Sequence, residues 1–199
     1  MNIPDILGII EVTYHDEGDP MDVKTCGFLS HVPTRFQFGW DEEATLCIHM
    51  KQVILQQIQL LRRAGYNSFY VVPDSGAGLW TGEIINLLRN NDPALLLQCI
   101  LPHEEIASKW SPELRDRYFA LREQCIHLSA VSRPGHENAV ELALTKLVDV
   151  SDFVIAVYEP GSRRGDAVDQ AMEYLRETGK PYLRIHPDTL ELQLCPISK

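Results

Sequence analysis

The sequence contains no apolar run of about 18 residues, the length that a membrane-spanning helix needs, so no span is expected. Its five cysteines (Cys26, Cys47, Cys99, Cys125 and Cys195) include no pair at C-x-x-C spacing, and each lies in or beside an apolar stretch. That spacing excludes the common redox and zinc-ribbon motifs and predicts reduced, mostly buried thiols in a cytoplasmic protein. The seven histidines form neither H-x-x-x-H nor H-E-x-x-H, so no metal site is expected. Positive charge is scarce: 18 Lys and Arg stand against 28 Asp and Glu, a formal net charge of −10. A protein built to grip bulk nucleic acid or an anionic membrane carries the opposite balance. Much of the excess is local, because the first 24 residues hold six acids and one base. The same segment lacks the basic start of a secretory signal, so none is expected.

The 199 residues fit one α/β domain with an acidic N-terminal segment over residues 1–22. Short apolar runs at 23–29, 68–72, 95–101, 126–131, 153–158 and 181–185 read as strands. Between them lie helical periods. Leu46, Met50, Val53, Ile54, Ile58 and Leu61 repeat at three- and four-residue steps, which predicts a helix over about 42–64 with Gly65 as its stop. Further helices are expected at about 79–89, after Ser111-Pro112, at 136–149 and at 166–178, the last closed by Gly179. Six strands joined by five helices predict a doubly wound, mostly parallel sheet covered on both faces, a Rossmann-like α/β domain spanning 23–199. Residues 6–14 would add an edge strand.

In such a sheet, ligands bind beyond the carboxyl ends of the strands, so the loops there are informative. After the strand at 68–72 comes Pro73-Asp74-Ser75-Gly76-Ala77-Gly78-Leu79-Trp80-Thr81-Gly82-Glu83. Ser75, Gly76 and Gly78 suit either an anion cradle at a helix N-terminus or a tight turn with close helix packing. Trp80 is a packing residue or a platform for a base. The loop after 153–158 carries Gly161, Arg163, Arg164 and Gly165 ahead of a helix, with arginines suited to a phosphate. Asp169 on that helix and Glu83 on the earlier one are the candidate acids for general acid–base chemistry. Around the first strand, Gly27, His31 and Arg35 are weaker candidates.

Several stretches resemble a family. Leu101-Pro102-His103-Glu104-Glu105, then Lys109-Trp110-Ser111 and Arg117-Tyr118, are similar to the LP-F-E … W … RY stretch of the YpsA-like proteins in the SLOG superfamily of Rossmann-like proteins. Gly78 to Glu83, Leu147-Val148-Asp149 with Ser151-Asp152, and Gly161 to Ala167 with Gly179-Lys180-Pro181 resemble further parts of that pattern. The resemblance covers roughly 23–187 and implies the fold above, with a nucleotide-derived ligand as the only implied cofactor. Two places depart from it. The first loop reads Cys26-Gly27-Phe28-Leu29-Ser30 without the family's basic residue, and the family's R-N pair falls near the apolar Ala143 and Leu144. The related LOG phosphoribohydrolases carry P-G-G-x-G-T-x-x-E, where this chain has Asp166 for the Thr and Asp169 for the Glu. An aspartate reaches about one methylene less far, and Asp166 repels a phosphate to which Thr would donate.

The resulting expectation is a cytoplasmic protein that binds or senses a small anionic, nucleotide-like ligand, with no bulk nucleic acid or membrane partner. The alternatives are a LOG-like hydrolase of nucleoside 5′-monophosphates and an interaction protein with a degenerate pocket. Assembly into a homo-oligomer is left open.

Overall fold

The computed structural model describes residues 23–195. The acidic segment at 1–22, with the edge strand expected at 6–14, lies outside the described residues. Seven strands form one sheet: β1 (Lys24–Ser30), β2 (Tyr66–Val71), β3 (Leu96–Leu101), β4 (His127–Ala130), β5 (Phe153–Val157), β6 (Tyr182–Ile185) and β7 (Leu192–Cys195). Five helices connect them among the described residues: α1 (Thr45–Arg63), α2 (Ala77–Arg89), α3 (Pro112–Gln124), α4 (Ala139–Asp149) and α5 (Ala167–Thr178). The spatial order is β4-β3-β2-β1-β5-β6-β7, parallel throughout except for β7. This is the expected doubly wound α/β architecture. The chain steps outward from β1 to β4, then returns to the other side of β1 as β5, so the switch in strand order falls between β1 and β5.

Each face of the sheet has its own core. α1, α2 and α3 cover one face, where Met50, Ile54, Ile58 and Leu61 meet Phe28, Phe69, Leu97 and Ile155. These four belong to the α1 stripe visible in the sequence. α4 and α5 cover the other face, where Ala143, Leu147, Met172 and Leu175 pack on Leu29, Val154 and Ala156. β5 is buried along its whole length, which is why its sequence does not alternate. The helix ends follow their local chemistry. Ser111 caps α3 through Leu114 N, with Pro112 in its first turn, and Asp166 caps α5 through Val168 N and Asp169 N. Gly179 closes α5 in the left-handed conformation.

Two expectations need correction. The seventh strand was absent from the pattern. β7 is four residues long and pairs antiparallel with β6 across a short turn, with His186 N donating to Glu191 O at 2.9 Å. The second concerns the thiols. Cys99 in β3 and Cys125, just after α3, are joined as a disulfide, whereas Cys26 and Cys47 are buried and free and Cys195 is half-buried. The chain brings the pair together by running through α3 and back beside β3, a separation that no short spacing rule detects.

Candidate functional site

The carboxyl ends of β1, β2 and β5 meet at one edge of the sheet, and a crevice opens there between the start of α2 and the starts of α4 and α5. Phe28, Val72, Leu144 and Val168 form its walls, and Ser30, Asp74 and Gly78 supply its polar groups. The crevice measures about 40 Å³, and the exposed Val32 and Val140 stand on its rim. The first glycine loop lines this crevice through Asp74 and Gly78, and the helix after the second loop lines it through Val168. Leu144, near which the resemblance implied a polar pair, is part of its apolar wall.

In the first loop the Asp74 carboxylate turns back over the start of α2. Its Oδ1 accepts from Gly76 N at 2.7 Å and from Gly78 N at 3.0 Å. The donors that the sequence offered to an anion are thus already engaged by a carboxylate four residues or fewer away. Burial pushes the Asp74 carboxyl up to about 6, against these N–H bonds, which pull it down. Gly78 itself answers to packing: a methyl there would stand 2.1 Å from the Val72 carbonyl oxygen. Ser75 is half-buried beside this turn. Gly27 is not in the loop but in β1, where a Cβ would lie 2.4 Å from Ser151 Oγ.

The second loop is closed in the same manner. Asp169 is completely buried, and all four of its contacts are donors. Oδ2 accepts from Arg164 N at 2.6 Å and Gly165 N at 2.7 Å, and Oδ1 accepts from Tyr158 Oη at 2.9 Å and Arg35 Nη1 at 3.2 Å. Gly165 can turn its N–H inward because it adopts φ +71°. Burial alone would raise the Asp169 carboxyl, but these donors outweigh it and hold it well below the usual carboxylate range. Arg35, with its side chain 1% exposed, also donates to Asp166 Oδ2 at 2.7 Å and to the Ser162 carbonyl at 2.8 Å. The half-buried Asp166 therefore pairs with a guanidinium while it caps α5. Removing the phenolic hydroxyl in Tyr158→Phe is expected to cost about 1.5 kcal/mol in urea unfolding, since Asp169 keeps its other donors. No measurable change would take Tyr158 out of the network.

His31 continues this cluster at the end of β1. Its Nε2 accepts from Glu159 N at 3.0 Å, so the ring proton sits on Nδ1, which faces no acceptor. Burial, then the positive charge of Arg35, lowers its pKa to about 4, so the ring is neutral near pH 7.

The remaining candidates separate into other settings. Arg163 pairs with Glu173 on the surface at 3.2 Å, Gly161 is exposed, and the exposed Arg164 guanidinium has no ion-pair partner among the described residues. Trp80 is buried among Phe36 and Phe38, with Lys51 Nζ 5.0 Å from its ring centroid, and offers no open face to a base. Glu83 belongs to a surface chain of charges: Arg117 bridges it to Glu42, which in turn takes Lys51 at 2.6 Å. It shares no residue with the Asp169 cluster. Asp74, Tyr158 and the closing role of Arg35 were missed. The readable signal for Asp74 was an Asx turn, an aspartate two residues before a glycine. Among the described residues there is no group of three or more potential ligands that would hold a metal ion, and no helix long and apolar enough to cross a membrane.

A UPF0398 protein of Halalkalibacterium halodurans is 27% identical over 119 residues, which cover 57% of this chain and 63% of the relative, so the match spans less than two thirds of that protein. A UPF0398 protein of Bacillus pumilus is 23% identical over 159 residues, 79% of this chain and 84% of the relative. The YpsA profile, described as the YspA SLOG family, matches residues 33–190, a span that contains both glycine loops and all of α1 to α5. By that match, the chain belongs to the YspA SLOG family.

Proposed function

We propose that this protein binds a nucleotide-derived small molecule in the crevice at the switch point of its sheet, and acts as a binding or sensing module. The observation that carries the reading is the crevice itself. It lies beyond the carboxyl ends of the strands where the order reverses, it is apolar, and a single carboxylate faces it from the start of a helix. The net charge of −10 favours a small ligand over bulk nucleic acid or a membrane surface. A hydrolase reading has less support. Asp169, its candidate acid, is fully buried with both oxygens engaged, and Glu83 lies in a separate ion-pair network.

A thermal-shift panel of nucleosides, nucleotides and dinucleotides tests this. A ligand at about 100 times its Kd adds about 2.7 kcal/mol, which raises Tm by several degrees. At least one member is expected to do so, and Val140→Asp on the rim is expected to abolish the shift. A panel with no stabilising member would remove the binding reading.

A further inference from the structure

We infer that the crevice recognises its ligand as an uncharged planar heterocycle, through N–H donors directed at Asp74, and gives no seat to a phosphate. The inference rests on the binding reading above and specifies what the site takes.

A phosphate needs free N–H groups and an unpaired cation. The unpaired cation of the second loop, Arg164, is exposed and does not line the crevice, and the glycine-loop N–H groups are engaged. The Gly76 and Gly78 N–H groups are held by Asp74 Oδ1, and the Arg164 and Gly165 N–H groups by Asp169 Oδ2. The buried Arg35 guanidinium is shared between Asp166, Asp169 and the Ser162 carbonyl. Each loop thus already contains its own anion, and a second one beside Asp74 or Asp169 meets like charge.

What remains available is of the opposite character. Oδ1 of Asp74 takes the Gly76 and Gly78 donors, the Leu79 N–H also favours the carboxylate, and Oδ2 accepts no hydrogen bond of normal geometry among the described residues. A carboxylate oxygen accepts and does not donate, so its complement is a ring N–H or an exocyclic amino group. The walls around it, Phe28, Val72, Leu144 and Val168, suit an uncharged ring. The crevice, at about 40 Å³, admits the edge of such a ring, with the rest of the ligand over the exposed Val32 and Val140.

Calorimetric titration of the full chain with adenosine, guanosine, their 5′-monophosphates and inorganic phosphate tests this. At least one nucleoside is expected to bind as tightly as its monophosphate, without competition from inorganic phosphate. Asp74→Asn keeps a carbonyl for Gly76 and Gly78 but turns the other atom into a donor, so nucleoside affinity is expected to fall at least about tenfold with no loss in Tm. A monophosphate that binds about tenfold tighter than its nucleoside, competition by phosphate alone, or unchanged affinity in Asp74→Asn would each overturn the inference and leave the binding reading standing. Absence of binding by every probe would fail the reading and the inference together.

Discussion

Arg35→Met is expected to destabilise the fold by about 3–5 kcal/mol, because it removes one charge from a buried cluster and leaves two behind. The guanidinium is almost wholly enclosed and contacts Asp166, Asp169 and the Ser162 carbonyl. Methionine keeps much of the volume but supplies no donor, so two carboxylates remain beside an apolar side chain. The effect depends on pH in a defined direction. Asp169 has its pKa held low in the native state, so its contribution is complete above about pH 4 and declines as pH falls toward the native value. In the variant Asp169 loses a donor and faces the Asp166 carboxylate uncompensated, so its pKa rises and its protonation relieves the repulsion. The deficit relative to the unmodified chain is therefore largest near neutral pH and narrows below about pH 5. Urea unfolding at pH 7.5 and pH 4.5 measures both values. A loss under about 1 kcal/mol at pH 7.5 would show that the loop after β5 is held by something other than this cluster. Adding Asp166→Asn to Arg35→Met is expected to recover part of the loss, since only one uncompensated carboxylate then remains.

The same cluster shows where sequence reasoning stops. Elements whose cause is local were legible: the stripe from Met50 to Leu61, the Ser111-Pro112 start, the Gly179 stop, and β5, whose continuous apolar run reports burial on both faces. The place of the crevice was legible, because the rule that looks beyond the strand ends needs only strand order. Its chemistry was not. A glycine loop shows that N–H groups can approach an anion, but not whether a carboxylate of the chain already holds them. Asp74 and Asp169 each lie within five residues of the N–H groups they hold, close enough to suspect from sequence. Arg35 reaches Asp166 across 131 residues, and Cys99 reaches Cys125 across 26. Only the packed sheet brings those pairs together. Trp80 and Glu83 illustrate the complementary difficulty. They follow the glycine loop in sequence, yet the turn of α2 carries them to its other side, toward Phe36 and Phe38 and toward Arg117.

Asp74→Asn is expected to stabilise the free protein at pH 7.5 by about 2 kcal/mol, a Tm increase of several degrees. The sign follows from the pKa. Burial raises the native carboxyl to about 6, above the ordinary value near 4, so the folded state holds this proton more tightly than the unfolded chain does. Its favourable contribution is complete below about pH 4 and is lost as pH rises through about 6. Near neutral pH the ionised form therefore carries a cost that an uncharged isostere avoids. Asparagine still offers a carbonyl oxygen to the N–H groups of Gly76 and Gly78, so the turn at the start of α2 is retained. His31 titrates in the opposite sense over an overlapping range: its lowered pKa makes its contribution complete above about pH 6.5 and lost as pH falls through about 4. Both proteins contain His31, so the difference between variant and unmodified chain cancels it and isolates Asp74. That difference should shrink to nothing near pH 4, where the native carboxyl is already protonated. A fall in Tm at pH 7.5 would mean that attraction between the carboxylate and the start of α2 exceeds the cost of its burial. A rise in Tm together with weaker nucleoside binding would give the charge a role that stability does not explain: it destabilises the empty fold and is offset only when a donor from the ligand reaches Oδ2.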